Sequence, residues 1–169
     1  MQQDRRLILF TNYYPFYKGE EYIENEISIM ASSFQKVMIV PTMVDKTMKQ
    51  TREVPENVEV LNIKTDCSKK GKVDMVLRKA PAVIKSIDWK HAVKKETGLL
   101  LNKIAYEIYY FCRVEYVYER IVNDVQFNHF IDEGEQIILY SYWMHVVASI
   151  TARLKERKFN KCVKCITRG

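Results

Sequence analysis

The sequence predicts an α/β protein with a doubly wound, mainly parallel β-sheet. Short apolar runs of strand length recur along the chain, and helical periodicity lies between several of them. The order strand, helix, strand requires a right-handed crossover, which pairs the strands in parallel. Strands are predicted at 6–11, 36–42, 58–63, 136–143 and 161–167. This alternation is typical of a Rossmann-like fold, and 169 residues suffice for one domain with a full core.

The first strands enclose one clear helix. Residues 6–11, RLILFT, form an apolar run typical of a strand buried on both faces, so we expect this strand to be central. An amphipathic helix is predicted from Glu20 to Phe34, because apolar residues recur there at three- and four-residue steps. Its first turns carry three acids, which the helix dipole favours: Glu20, Glu21 and Glu24.

The second half is less regular. Residues 64–95 are basic and weakly periodic, and Pro81 should interrupt a long helix, so short helices or an exposed excursion are expected. Helices are predicted at 96–123 and 145–157. No helix follows the fifth strand, which would leave one sheet face partly bare, so we expect the domain 1–169 to be cut from a larger fold.

Charge and cysteine content narrow the class of protein. The net charge is +6, with ten Lys or Arg against three acids over 68–103 and seven against one over 153–168. These segments are either a solvated basic face or a surface for an anionic partner. No apolar run is long enough to span a membrane and the first residues are too polar for a signal peptide, which predicts a cytoplasmic protein. Cys162 and Cys165 form a lone C-x-x-C in a predicted strand, so neither metal nor disulfide is expected.

The candidate site follows from the predicted topology. Doubly wound sheets bind ligands at the carboxyl ends of the strands where the strand order reverses. With the common order 3-2-1-4-5, that point lies between the first and fourth strands. The loops there are NYYPFYKGE (12–20) and SYWMH (141–145), so both aromatic clusters of the chain should meet at one crevice.

Two kinds of contact are predicted in this crevice. Lys18 and Gly19 lead into a helix N-terminus, a combination that suits a phosphate, although a glycine before a helix is often only a turn. Aromatic side chains of both loops would stack on a sugar or base, or else pack as local core; they are Tyr13, Tyr14, Phe16, Tyr17, Tyr142 and Trp143.

His145 is a candidate acid or base, or a structural residue. The G-x-G-x-x-G fingerprint is absent, which argues against a nicotinamide or flavin enzyme.

Two stretches resemble a known family. TNYYPFYKGEEYIENEI and YSYWMHVVASITARLKER, with KCITRG at the end, are similar to the N-terminal, acceptor-side half of bacterial GT-B glycosyltransferases of family 4. That family combines an aromatic-Pro-aromatic loop, a glycine and F-I-E-N-E-I with a later Y-S-Y-W. The corresponding residues here are 22–27 and 140–143.

The resemblance implies a fold and an activity. In the family, two Rossmann-like domains face each other across a cleft, and sugar passes with retention from a nucleotide-sugar to an acceptor, usually without a metal. This chain would be the acceptor-binding half, inactive by itself because the donor-binding domain is missing. The product would be capsule, exopolysaccharide or another cell-surface glycan. The nucleotide-sugar would be a co-substrate, and no cofactor is implied.

The same resemblance assigns residues and partners. Gly19 would face the donor diphosphate, and Tyr142, Trp143 and Arg168 would form the cleft wall. Lys18 is added to the diphosphate contact because of its charge, and Tyr14, Phe16 and Tyr17 of the aromatic loop are predicted to complete the cleft wall and contact the acceptor. No catalytic residue is assigned. Glu107 and Glu115 have the spacing of the family's donor-site acids but lie in the wrong half, so that role is not transferred.

The expected partners are a sugar or lipid-linked glycan acceptor and, through the basic segments, the anionic inner face of the membrane. Lysine-rich stretches alone do not indicate nucleic acid, and none is predicted as a partner. The alternative function is a stand-alone Rossmann-like module that binds a nucleotide or a protein partner without catalysis.

Overall fold

A computed structural model describes residues 5–16, 19–86, 100–133, 136–159 and 163–168, with the backbone alone for 100–103. Within these ranges five strands form one parallel sheet in the order β3-β2-β1-β4-β5. The strands are β1 Arg5–Thr11, β2 Lys36–Pro41, β3 Val58–Val60, β4 Gln136–Ser141 and β5 Lys164–Thr167. The predicted fold class and the assumed strand order are confirmed, and β1 is the central strand.

Five helices accompany the sheet in the described part of the chain. They are α1 Glu21–Ser33, α2 Lys69–Ser86, α3 Leu100–Val122, α4 Val125–Asp132 and α5 Val146–Arg157. None of these helices is long and apolar enough to cross a membrane. The predicted helices at 20–34, 96–123 and 145–157 correspond to α1, α3 and α5, with 96–99 outside the described residues.

The alternation of side chains along β1 separates two cores. Ile8 and Phe10 face a cluster built with α3, α4 and α5, whereas Leu7 and Leu9 face a cluster built with α1. Because both sheet faces are covered in this region, the central strand can be apolar on both sides.

The segment after β3 differs from the prediction. Residues 69–86 form one helix that contains Pro81, where short helices or an excursion were expected. A proline inside a helix removes one hydrogen bond and costs about 3 kcal/mol. Met75 and Val83, on either side of Pro81, are buried against Cys112 of α3. This packing offsets the cost and keeps α2 continuous.

Candidate functional site

A cleft of about 600 Å³ opens at the carboxyl edge of the sheet, where the strand order reverses between β1 and β4. Residues that follow four strands line it, including Asn12, Met43, Trp143 and Arg168. Helices α2 and α3 add further lining residues, which are Lys72, Tyr106, Tyr109 and Arg113. The cleft therefore has the position at which doubly wound sheets bind ligands.

The loop after β1 divides its aromatic residues between cleft and core. The Thr11 hydroxyl donates to the carbonyl of Tyr14 (2.9 Å), the Tyr14–Pro15 peptide is cis, and the Phe16 N–H donates to the carbonyl of Tyr13 (2.7 Å). Tyr13 lines the cleft, but Tyr14 and Phe16 are buried. The structure thus places Tyr14 and Phe16 in the interior, where a cleft-wall position was expected.

Packing under α1 explains the position of Tyr14. Its ring belongs to the same core cluster as Ile23 and Ile27, and the Arg52 guanidinium lies 5.5 Å from the ring centroid. Its hydroxyl is buried without a hydrogen-bond partner among the described residues. Burial, together with the nearby Glu24 carboxylate, raises the pKa of this phenol.

Gly19 has a backbone conformation that favours glycine. Its φ is +95°, and nothing lies within 4 Å of the position that a Cβ would take, so the requirement concerns conformation rather than space. Its N–H donates to Glu21 (2.9 Å) and its carbonyl accepts from Arg52 (3.0 Å). Lys18 and Tyr17 lie outside the described residues, and the expected donor-diphosphate contact of Gly19 stays a prediction.

The Glu20 carboxylate is the organising group of this loop. It accepts hydrogen bonds from the backbone N–H groups of Asn12 (3.0 Å), Tyr13 (2.8 Å) and Tyr14 (2.7 Å), and from the indole N–H of Trp143. Glu20 is buried and has a left-handed backbone, with φ at +58°, which turns its side chain back over the loop. The helix dipole, which was expected to explain this acid, is therefore not a sufficient account of Glu20.

Successive backbone N–H groups in a turn form a concave site that attracts anions. In this protein the chain's own Glu20 carboxylate fills that site. Since the same carboxylate also holds Trp143, it joins the loop after β1 to the loop after β4.

A second cluster joins α1 to the ends of β4 and β5. Nη1 of Arg168 donates to both carboxylate oxygens of Glu26 (2.8 and 2.9 Å) and to the Tyr142 hydroxyl (2.6 Å), which itself donates to Glu26 (3.0 Å). Tyr22 stacks on Tyr142 at 5.3 Å and meets the edge of Trp143 at 5.9 Å. Four of these residues line a neighbouring pocket of about 240 Å³: Tyr22, Tyr142, Trp143 and Arg168. Three predicted site residues, Tyr142, Trp143 and Arg168, thus come together.

This cluster changes the acidity of its members. Burial, then the hydrogen bond to Glu26, raises the pKa of Tyr142 to about 12. The Glu26 carboxylate raises the pKa of the Arg168 guanidinium, so this cation is permanent at any physiological pH. Tyr142 accordingly acts here as a neutral hydrogen-bonding group.

The α3 side of the cleft carries an arginine whose N–H groups are only partly used in hydrogen bonds to the described residues. Arg113, on α3, is only 9% exposed and lines the cleft. One Nη of its guanidinium donates to the carbonyl of Thr42 at 3.3 Å. Among the described residues no carboxylate forms an ion pair with it, although a guanidinium has five N–H donors.

The Lys and Arg side chains that line the cleft are not balanced by any acid among the described lining residues. Lys72 and the start of α5, at Val146 and Val147, belong to the same lining. The residue before α5, His145, supplies no side-chain cap and instead meets the ring edge of Tyr110 at 5.9 Å. Of the described residues that line the cleft, none is Asp or Glu. A ligand bound here would meet basic side chains, a helix N-terminus and aromatic walls.

Other patterns in the sequence lie elsewhere. Glu115 pairs with Arg153 and with Arg157 (3.1 Å), and Glu107 is exposed on α3. The described ranges contain no group of three metal-ligating side chains. Cys165 is a free thiol on β5, and Cys162 lies outside the described residues.

Sequence reasoning missed Glu20 as a loop anchor and Arg113 as a cleft residue. Arg113 stands four residues before Val117 and eight before Ile121, so it falls on the apolar stripe of α3. An arginine at such a position is a detectable signal of a buried cation. The direction of the Glu20 side chain has no comparable signal, because it depends on the left-handed backbone at that residue.

No family model, no curated protein and no solved structure matches this chain.

Proposed function

We propose that this chain is the acceptor-binding half of a retaining glycosyltransferase that uses a nucleotide-sugar donor in the synthesis of a cell-surface glycan. The single observation that carries the proposal is the cleft of about 600 Å³ at the reversal of strand order, which is lined by aromatic side chains from the loops after β1 and β4 and from α3. Flat apolar rings with polar edges suit the alternating faces of a sugar. The acceptor would lie against Tyr13, Tyr109 and Trp143.

The two family-like stretches support the same proposal through their contacts. Glu26, from the first stretch, accepts a hydrogen bond from Tyr142 of the second, and Glu20 accepts one from Trp143. Tyr22 of the first stretch stacks on Tyr142. Segments more than a hundred residues apart in the sequence therefore form one structural unit beside the cleft, as expected if both serve one site.

Helix α2 supports peripheral attachment to the cytoplasmic face of an anionic membrane. Val73 and Leu77, one helical turn apart, are 58% and 71% exposed. Several lysines flank them in the same helix: Lys69, Lys70 and Lys72. Apolar residues among basic ones are typical of helices that lie on a lipid surface, where each Lys or Arg contributes about 1 kcal/mol. A lipid-linked acceptor would be presented at that surface.

Ligand-observed NMR with the full chain tests the proposal. We expect saturation transfer to oligosaccharides, neutral or phosphorylated, and weaker transfer to nucleotide-sugars. Trp143→Ala should remove transfer, and Trp143→Phe should retain part of it, because the ring remains while the N–H to Glu20 is lost. Ile29→Ala, on the exposed outer side of α1, is the matched control.

Two results would contradict the proposal. Saturation of nucleotides or nucleotide-sugars without any oligosaccharide would favour the stand-alone nucleotide-binding module. Sugar transfer by this chain alone, with no further domain added, would contradict its assignment as the acceptor half.

A further inference from the structure

We infer that the α3 side of the cleft is a phosphate subsite, and that the acceptor carries a phosphate or diphosphate which pairs with Arg113. The inference rests on the proposed function. It adds that the acceptor is negatively charged and names the residue that binds this charge. It starts from Arg113, which is nine-tenths buried at the cleft and whose guanidinium makes one hydrogen bond, at 3.3 Å, to the described residues.

A buried cation without an anion is costly. Moving a charged group out of water is unfavourable unless a counter-charge and hydrogen bonds replace the water. Buried arginines are therefore normally paired, as Arg6 is in this protein, with the Phe130 carbonyl at 2.8 Å and the Glu133 carboxylate at 3.1 Å. Arg113 is 9% exposed, compared with 4% for Arg6, but has no carboxylate partner among the described residues. Its missing partner is supplied by a ligand.

The surroundings select phosphate over a single carboxylate. Lys72 and the uncapped N-terminus of α5 line the same cleft as Arg113, and the described lining contains no acid. A guanidinium fork, an ammonium and free helix N–H groups together match a group with several oxygens and nearly two negative charges. A carboxylate carries one charge and would satisfy only part of this set.

The second anion-binding feature of the cleft is already occupied. The backbone N–H groups of the loop after β1 are held by the Glu20 carboxylate. An incoming phosphate is therefore directed to the α3 wall, and the aromatic residues Tyr106 and Tyr109 on the same helix are positioned to contact the sugar attached to it.

Calorimetric titration of the full chain with inorganic phosphate, glucose 1-phosphate, glucuronate and glucose tests the inference. We expect glucose 1-phosphate to bind at least tenfold more tightly than glucose or glucuronate. Arg113→Met should weaken glucose 1-phosphate about tenfold to a hundredfold, the loss expected for hydrogen bonds between charged groups, and leave glucose unchanged. Arg113→Lys should recover only part of the affinity, because the fork is lost. Arg78→Met removes a charge from α2 at an exposed residue outside the cleft lining and should have no effect.

Thermal unfolding keeps the test decisive even if a variant folds poorly. Without ligand, Arg113→Met should be as stable as wild type or more stable, since it removes a buried cation that has no carboxylate partner among the described residues. Phosphate should raise the melting temperature of wild type and not that of the variant.

The outcomes separate the two proposals. Equal affinity for glucose and glucose 1-phosphate, or a strongly destabilised Arg113→Met protein, would overturn the phosphate subsite and leave the acceptor function standing. Phosphate binding that depends on Arg113, with no added affinity from any attached sugar, would support the subsite and contradict the glycan function.

Discussion

Replacing Glu20 by glutamine should destabilise the protein far more than the same change at any neighbouring acid. Glu20→Gln keeps the shape of the side chain but exchanges one acceptor oxygen for an NH2 group that faces N–H donors. At least two of the four hydrogen bonds to the carboxylate are then lost, and one of the donors belongs to the buried residue Tyr14. A hydrogen bond to a charged group contributes about 1.5–3 kcal/mol, and a buried donor left unpaired costs about 1–3 kcal/mol. We expect a loss of roughly 3–5 kcal/mol in the free energy of unfolding.

Urea unfolding followed by circular dichroism measures this loss. A domain of this size has about 5–15 kcal/mol of stability, so the variant should remain folded in buffer. The midpoint should fall by roughly 2 M with an unchanged slope. Glu24→Gln is the matched control, because Glu24 lies in the next turn, is 54% exposed at the side chain and only pairs with Arg52 at 3.4 Å. Such a surface ion pair contributes about 0–1 kcal/mol. If the two midpoints agree, the assignment of Glu20 as loop anchor is refuted.

Three further predictions concern single side chains. Tyr14→Phe removes a buried hydroxyl that has no partner in the described structure, so the free energy of unfolding should stay unchanged or rise by up to about 1 kcal/mol; a clear loss would reveal a partner for it. In the folded state the pKa of Tyr142 is raised from 10.0 to about 12, so folding favours the neutral phenol. The contribution of this group to the free energy of unfolding is therefore complete below pH 10.0 and is lost as the pH rises towards 12. Urea unfolding between pH 10 and 12 should show that the free energy of unfolding falls less steeply with pH in Tyr142→Phe than in wild type. The same pH dependence in both proteins would contradict the raised pKa. Leu77→Glu should abolish sedimentation with anionic vesicles but not folding, whereas Ile29→Glu on α1 should leave it unchanged; equal binding by both variants would exclude α2 as the lipid contact.

The fold could be predicted because its signals are local. Each strand is a short apolar run, and the stripe of α1 repeats at helical spacing, so both can be recognised without tertiary contacts. The helix α2 could not be predicted in this way, because Pro81 disfavours a helix locally. The cost of this proline is offset by a tertiary contact, the burial of Met75 and Val83 against α3. The short helix α4 was not predicted either, although Asp124 caps it through the N–H of Phe127 (3.1 Å), a cap residue of the kind that marks helix starts.

The sequence predicts where in the fold the candidate site lies, but not which side chains line it. The position of the loops after β1 and β4 follows from topology alone, which is why Tyr13 and Trp143 both line the cleft. Which aromatic of the first loop faces the cleft is decided by a one-residue alternation: Tyr13 lines the cleft, and Tyr14 points into the core beneath α1. Composition cannot distinguish these neighbours, because both are tyrosines and only the backbone path separates them.

The two anion-binding features of the cleft differ in what a ligand must displace. A phosphate that entered the N–H groups of the loop after β1 would have to expel the Glu20 carboxylate, which would lose its hydrogen bonds to the loop and to the indole N–H of Trp143. A phosphate beside Arg113 displaces no protein group and gains a charged hydrogen-bond partner for a guanidinium whose one described hydrogen bond goes to Thr42. The difference favours the α3 wall. If the proposed phosphate subsite binds a ligand, Glu20 would act on specificity as well as on stability, because by filling one anion site it would direct the ligand to the other.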